Sequence, residues 1–164
     1  MKKLKGSFFK VSFFALLTIL TSMQTQAAAL NYTVIDSSLI RVKTPTNLVI
    51  RSQTDWQNFY TTATSDYFPQ PTAPSIDFRK VVVVVVASGE KSTGGYQTLI
   101  SRVFDNPATT ITASYIGVQS VLINPGSGCL TSLSFTYPAA LFTVPKTTKP
   151  FVFNSTGNVY KNCI

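Results

Sequence analysis

The sequence predicts an α+β fold that is mostly β: an antiparallel sheet or small β-sandwich with one short helix near residues 54–63. Three observations carry this expectation. Short apolar groups alternate with polar ones over residues 30–53, and further short apolar runs follow between clusters of Pro, Gly, Asn and Ser. One segment alone switches to helical period. The connections between the apolar runs are too short for helical crossovers, so the strands are expected to pair antiparallel.

The chain opens on a different pattern. Lys2, Lys3, Lys5 and Lys10 are followed by the apolar stretch Val11–Leu20 and then by Ala27-Ala28-Ala29, the order of a secretory signal peptide with its small-residue cleavage site. The apolar stretch is about half the length that a membrane-spanning helix needs. Residues 1–29 are therefore expected to be a signal peptide cut after Ala29, and residues 30–164 a single exported domain, periplasmic or extracellular. That domain keeps ten Lys and Arg against six Asp and Glu, a net +4 compared with +8 for the whole chain. Its basic residues are scattered singly or in pairs and form no run that could track phosphates, so nucleic acid is not an expected partner. No membrane span is expected after cleavage. Cys129 and Cys163 both survive it, and an exported domain with one pair of thiols is expected to join them in a disulfide.

Within the domain, Tyr32-Thr33-Val34-Ile35 and Leu48-Val49-Ile50 read as strands on either side of a turn at Thr44-Pro45-Thr46-Asn47. Thr54-Asp55-Trp56-Gln57 has the form of a capping box. Behind it Trp56, Phe59, Tyr60 and Ala63 fall at i, i+3, i+4 and i+7, one stripe of an amphipathic helix. Pro69, Pro71 and Pro74 make residues 65–75 a loop. Val81–Val86 is an unbroken valine run, which fits a central strand covered on both faces. Further strands are expected at Tyr96–Phe104, at about 109–116, at Val118–Ile123 beyond Gly117, and then at 131–136, 139–145 and 150–154, with prolines marking the ends of the last ones.

The chemistry that is missing narrows the function. The chain has no histidine, which removes the usual general base, the usual zinc ligand and any Ser-His or Cys-His pair. Asp36, Asp55, Asp66, Asp77, Glu90 and Asp105 fall in no paired-carboxylate motif. A Ser-Lys pair carries no information where both residue types are common. The expectation is a protein that is not an enzyme and uses no cofactor and no metal. The residues themselves leave open a protein-binding module and a structural or surface protein lacking a defined enzyme partner.

The loop Gly89-Glu90-Lys91-Ser92-Thr93-Gly94-Gly95-Tyr96 follows the valine strand directly. Its glycines lack phosphate-loop spacing and no helix follows them. Two uses fit it: a tight turn, or a partner contact combining exposed amides with Tyr96. Together with Ile76-Asp77-Phe78-Arg79-Lys80 before the valines and a late strand after Pro138 ending Val144-Pro145-Lys146, this loop resembles the PrcB C-terminal domain family. The resemblance runs from about Leu48 to Lys146. That family is named for an accessory subunit of a cell-surface protease complex, so the resemblance implies a non-catalytic exported β domain that binds or stabilises an extracytoplasmic protease. Ala139 and Ala140 depart from it, standing where an aromatic and a polar residue are common. On this reading the partner-binding residues are Glu90, Lys91, Thr93, Gly94, Gly95, Tyr96, Tyr137 and Pro138. A looser likeness links Lys91–Tyr96, Pro125–Gly128 and Tyr137-Pro138 to the three inhibitory loops of chagasin-type cysteine protease inhibitors, although the Arg-Pro-Trp signature of those proteins is missing here.

Overall fold

The computed structural model describes residues 26–163. The basic and apolar parts of the expected signal peptide lie outside the described residues. Eight strands and one helix follow in the order β1 (Ala28–Ala29), β2 (Thr33–Ile35), β3 (Pro45–Ile50), α1 (Gln53–Ala63), β4 (Val81–Ser88), β5 (Gln97–Asn106), β6 (Tyr115–Pro125), β7 (Ala139–Pro145) and β8 (Phe151–Lys161). The strands form two four-stranded sheets, ordered β2-β7-β4-β3 and β1-β5-β6-β8. The mostly β fold with one short helix is as the sequence predicts.

The valine run explains the layering. β4 lies between β7 and β3, and its side chains alternate between two cores. Val83 and Val85 join Ile40, Ile50, Trp56, Tyr60, Ala63 and Leu141 on the helix side. Val82, Val84 and Val86 meet Val103, Ile116, Val118, Phe142 and Val144 from between the sheets. A strand with a core on each face can be apolar at every position, and Val82–Val86 are all buried.

The helix is where the period of 3.6 places it, but its cap is not. Ser52, not Thr54, is the N-cap: it is extended, and its Oγ accepts from the Asp55 amide at 3.1 Å while donating to the Asp55 carboxylate at 2.6 Å. Asp55 is the third helical residue, so Ser52 and Asp55 cap the helix two positions earlier than Thr54 and Gln57 would, with the Asp55 carboxylate meeting the Ser52 hydroxyl where a full capping box would meet its amide. The Asp55 carboxylate also sits against the positive end of the helix dipole. At the other end the Thr64 hydroxyl donates to the Tyr60 carbonyl at 2.7 Å, which closes the last turn.

Several expected strand limits are corrected. Pro45, Thr46 and Asn47 belong to β3 itself and are not a turn, and β3 pairs with β4 while β2 pairs with β7, so the two are not a hairpin. Pro45 is tolerated because it is the first residue of an edge strand. No strand covers 109–116: Thr109 and Thr112 bond to each other across a turn, and the strand starts at Tyr115. Gly117 lies inside β6 and does not interrupt it. It stands opposite Phe104, whose ring occupies the space that a Cβ would need. Residues 131–136 form a loop with a single bridge from Lys91 to Thr136. The expectation of wholly antiparallel pairing also fails at one place, since β6 and β8 are parallel. Between them the chain passes through β7 in the other sheet, so a strand makes the crossover for which the individual connections are too short.

At the N-terminal edge, Ala28 and Ala29 pair with Asp105 and Phe104, and the Leu30 amide donates to the Val103 carbonyl at 2.9 Å. A cut after Ala29 would remove β1 and leave the Leu30 bond.

Candidate partner-binding end

The strand directions gather one set of loops. Ser88 ends β4 opposite Pro45, Gln97 opens β5 opposite Ile123, Ala139 opens β7 beside Ala87, and Pro125 ends β6 beside Lys161. Residues 89–96 and 126–138 therefore lie together at one end of the sandwich, with the chain terminus held there by the Cys129–Cys163 disulfide.

The two loops are joined along their length. The Lys91 amide donates to the Thr136 carbonyl at 2.8 Å and the Thr136 amide to the Lys91 carbonyl at 2.9 Å. The Thr136 hydroxyl donates to the Thr93 carbonyl at 2.7 Å, and the Gly94 amide to the Ser132 carbonyl at 2.9 Å. Gly94 is buried, and a Cβ there would stand 2.5 Å from the Ser132 Oγ. Gly95 has a φ of +89°, a conformation that L side chains rarely adopt. The glycine pair therefore serves loop geometry, Gly95 through its positive φ and Gly94 through its close approach to Ser132. Pro138 is buried as well, and its carbonyl accepts from the Ser88 amide at 2.8 Å and the Thr98 hydroxyl at 2.9 Å. Gly94 and Pro138 thus shape the end of the sandwich, and Glu90 is exposed on it.

Tyr137 donates to the Glu90 carboxylate at 3.0 Å, and this bond to a carboxylate holds its phenol above the usual pKa. Tyr96 is half-buried. With Ser37, Arg41, Tyr67, Phe135 and Tyr137 it lines a cavity of about 280 Å³. Arg41 organises that cavity: its guanidinium lies 4.5 Å from the Tyr67 ring centre and 5.8 Å from that of Tyr137, and it donates to the Tyr67 hydroxyl at 3.3 Å. Its role was not legible in the sequence, because it joins three segments that are far apart in the chain.

Sequence reasoning also missed the apolar tip of this end. Leu130, Leu133 and Phe135 are 105%, 94% and 63% exposed, within six consecutive residues beside the glycine loop. Leu133 and Phe135 alternate with polar residues in the stretch 131–136, where a strand is expected; Leu130 lies outside that pattern. The alternation is real, but no strand pairs with it to bury one side.

The described residues contain no group of three His, Cys, Asp or Glu side chains that could hold a metal ion. None of their helices is long and apolar enough to cross a membrane. The disulfide is a bond that persists in oxidising compartments.

The geometry defines a β-sandwich domain whose paired loops form one surface with exposed apolar side chains at its tip. The model of the family described as PrcB C-terminal matches residues 82–145, from β4 to the end of β7. The resemblance read from the sequence therefore holds over the valine strand, both joined loops and the late strand, and the match does not include α1 or β8. Comparison with curated proteins and with solved structures finds no match.

Proposed function

We propose that this chain is an exported, non-catalytic protein-binding module that serves an extracytoplasmic protease as an accessory or stabilising subunit, with the loop end as its contact surface. The observation that carries the reading is the placement of Leu130, Leu133 and Phe135 in open solvent beside loops that are otherwise rigidly bonded together. Exposed apolar side chains on a loop lower solubility and add nothing to a core, so a partner that covers them supplies their use. A preorganised loop also loses little conformational entropy on binding. Glu90 and Lys91 at the rim would affect orientation and association rate more than affinity. The protease as partner rests on the family resemblance.

A protease-inhibitor reading is the second one. The stretches Lys91–Tyr96, Pro125–Gly128 and Tyr137-Pro138 fall at the same end of the sandwich, the arrangement that an inhibitor working through three loops requires.

Affinity capture from envelope extracts tests the proposal. The wild-type domain is expected to retain a protease, and Leu133→Asp to weaken that retention by about thirtyfold or more, the hot-spot range, with the melting temperature unchanged. Tyr96→Ala and Lys91→Ala, measured for melting and retention together, separate loop packing from contact. Protease activity that is preserved or prolonged in the captured complex supports the accessory reading, and activity abolished in it supports the inhibitor. Reproducible retention of no protease would reject both.

A further inference from the structure

β3 is the outermost strand of its sheet, and no described residue pairs with its free side. Bare edges are usually blunted by charge, bulges or short length. β3 is six residues long, uncharged throughout, and blunted only by Pro45 at its first position.

Both faces of this edge open into a groove. On the helix side, Leu48, Phe59, Thr62 and Ala63 line a cavity of about 370 Å³, with Lys43 and Arg41 at its rim. On the other side, Asn47, Leu122, Phe153, Ser155 and Asn158 line one of about 280 Å³ between the two sheets. Thr46 borders both. A strand laid along β3 would send alternate side chains to opposite faces. Its apolar residues would enter the groove beside α1, and its small polar residues would meet Asn47, Ser155 and Asn158.

Charge identifies the occupant. β3 is flanked by Lys43 and by Arg51, whose guanidinium donates to the Thr147 and Lys149 carbonyls, and among the described residues neither cation is neutralised by an ion pair. A second copy pairing antiparallel about the middle of β3 would bring the Lys43 end of one chain against the Arg51 end of the other, and like charges opposed across a strand pair are destabilising. A different polypeptide with acidic residues at both ends avoids this.

We propose that the bare edge of β3, with a groove on each face, accepts an extended, acid-flanked segment of a partner polypeptide as a fifth strand of the sheet. Main-chain bonds to the edge supply attachment, and the two grooves select alternating apolar and small polar side chains. The β3 edge is distinct from the loop end, although the two adjoin at Arg41, which borders both cavities, and where the Glu90 amide donates to the Lys43 carbonyl at 3.0 Å.

The test uses the purified ¹⁵N-labelled protein and two synthetic peptides of equal composition. One alternates leucine with serine and asparagine between terminal glutamates; the other collects its leucines in one block. The alternating peptide is expected to shift the amide signals of Asn47 and Val49, which the antiparallel register turns away from β4, saturably and to slow their hydrogen exchange by about tenfold or more, while the blocked peptide does neither. Leu48→Lys should weaken that binding by about tenfold, and so should Thr62→Arg, which fills the groove from the helix without touching β3. Leu133→Asp should leave it unchanged, so failure here and failure of the loop-end reading are distinguishable. Signals of β3 that do not respond to millimolar alternating peptide would overturn the proposal. So would protection of these amides in the protein alone, whether it grows with concentration, as for a second copy, or is independent of it, as for another part of the same chain.

Discussion

Trp56→Ala is expected to destabilise the domain by about 3–5 kcal/mol, the range for deleting a large aromatic side chain from a core. Trp56 has no exposed surface and packs 5.9 Å from the Phe59 ring and 5.4 Å from that of Tyr60. Its indole N–H donates to the Pro74 carbonyl at 2.8 Å, so the same side chain fixes α1 on the sheet and pins the proline loop beneath it. Truncation leaves a cavity and removes the donor for that carbonyl, and the two losses add. Trp56→Phe keeps most of the volume but not the donor, so it should fall between wild type and Ala. Chemical denaturation measures both. A Trp56→Ala midpoint equal to that of wild type would show that the helix does not depend on this anchor.

Loss of the disulfide is expected to have an effect of similar size. Cys129 and Cys163 are 34 residues apart, and closing a loop of that length restricts the unfolded chain by about 3–4 kcal/mol in the chain-entropy model. In the folded state the bond holds the end of β8 to the loop after β6, where the Gly126 amide also donates to the Lys161 carbonyl at 3.0 Å. Cys129→Ser should therefore lower the melting temperature by roughly 10 °C in a domain of this length. Loss of order should begin at β8, which is exposed along most of its length. The non-reduced protein should be about 2 Da lighter than the reduced one, one hydrogen lost from each thiol. Two alkylatable thiols in the native protein, or a melting temperature insensitive to reductant, would contradict this.

What could be read from the sequence was what local physics decides. The valine run announced a strand buried on both faces, because it is short, wholly β-branched and apolar at both parities. The stripe from Trp56 to Ala63 announced a helix, because its period has no other use. The pairing of Cys129 with Cys163 was a matter of there being only two. Features set by distant contacts were not legible. Whether Pro45-Thr46-Asn47 turns or continues depends on β4 lying alongside, and Gly117 looked like a break because its reason, the ring of Phe104, lies on the neighbouring strand.

The same division holds at the candidate site. Glycines 94 and 95 were visible as a special loop, but that Ser132 and Pro125 explain them was not. Leu133 and Phe135 alternate as a strand would, and only the absence of a partner strand places them in solvent. Arg41, packed against Tyr67 and Tyr137, has no sequence signature at all.

Site-specific photo-crosslinking in intact envelopes tests the central claim most directly, since it reports which surface is covered in place. A crosslinking amino acid would replace Leu133 at the loop end, or Ile111, which is 91% exposed in the turn before β6 at the other end of the sandwich. The account predicts one discrete crosslinked species from position 133, containing an extracytoplasmic protease, and none from position 111. Crosslinks from position 111 with none from position 133, or equal diffuse labelling from both, would contradict it.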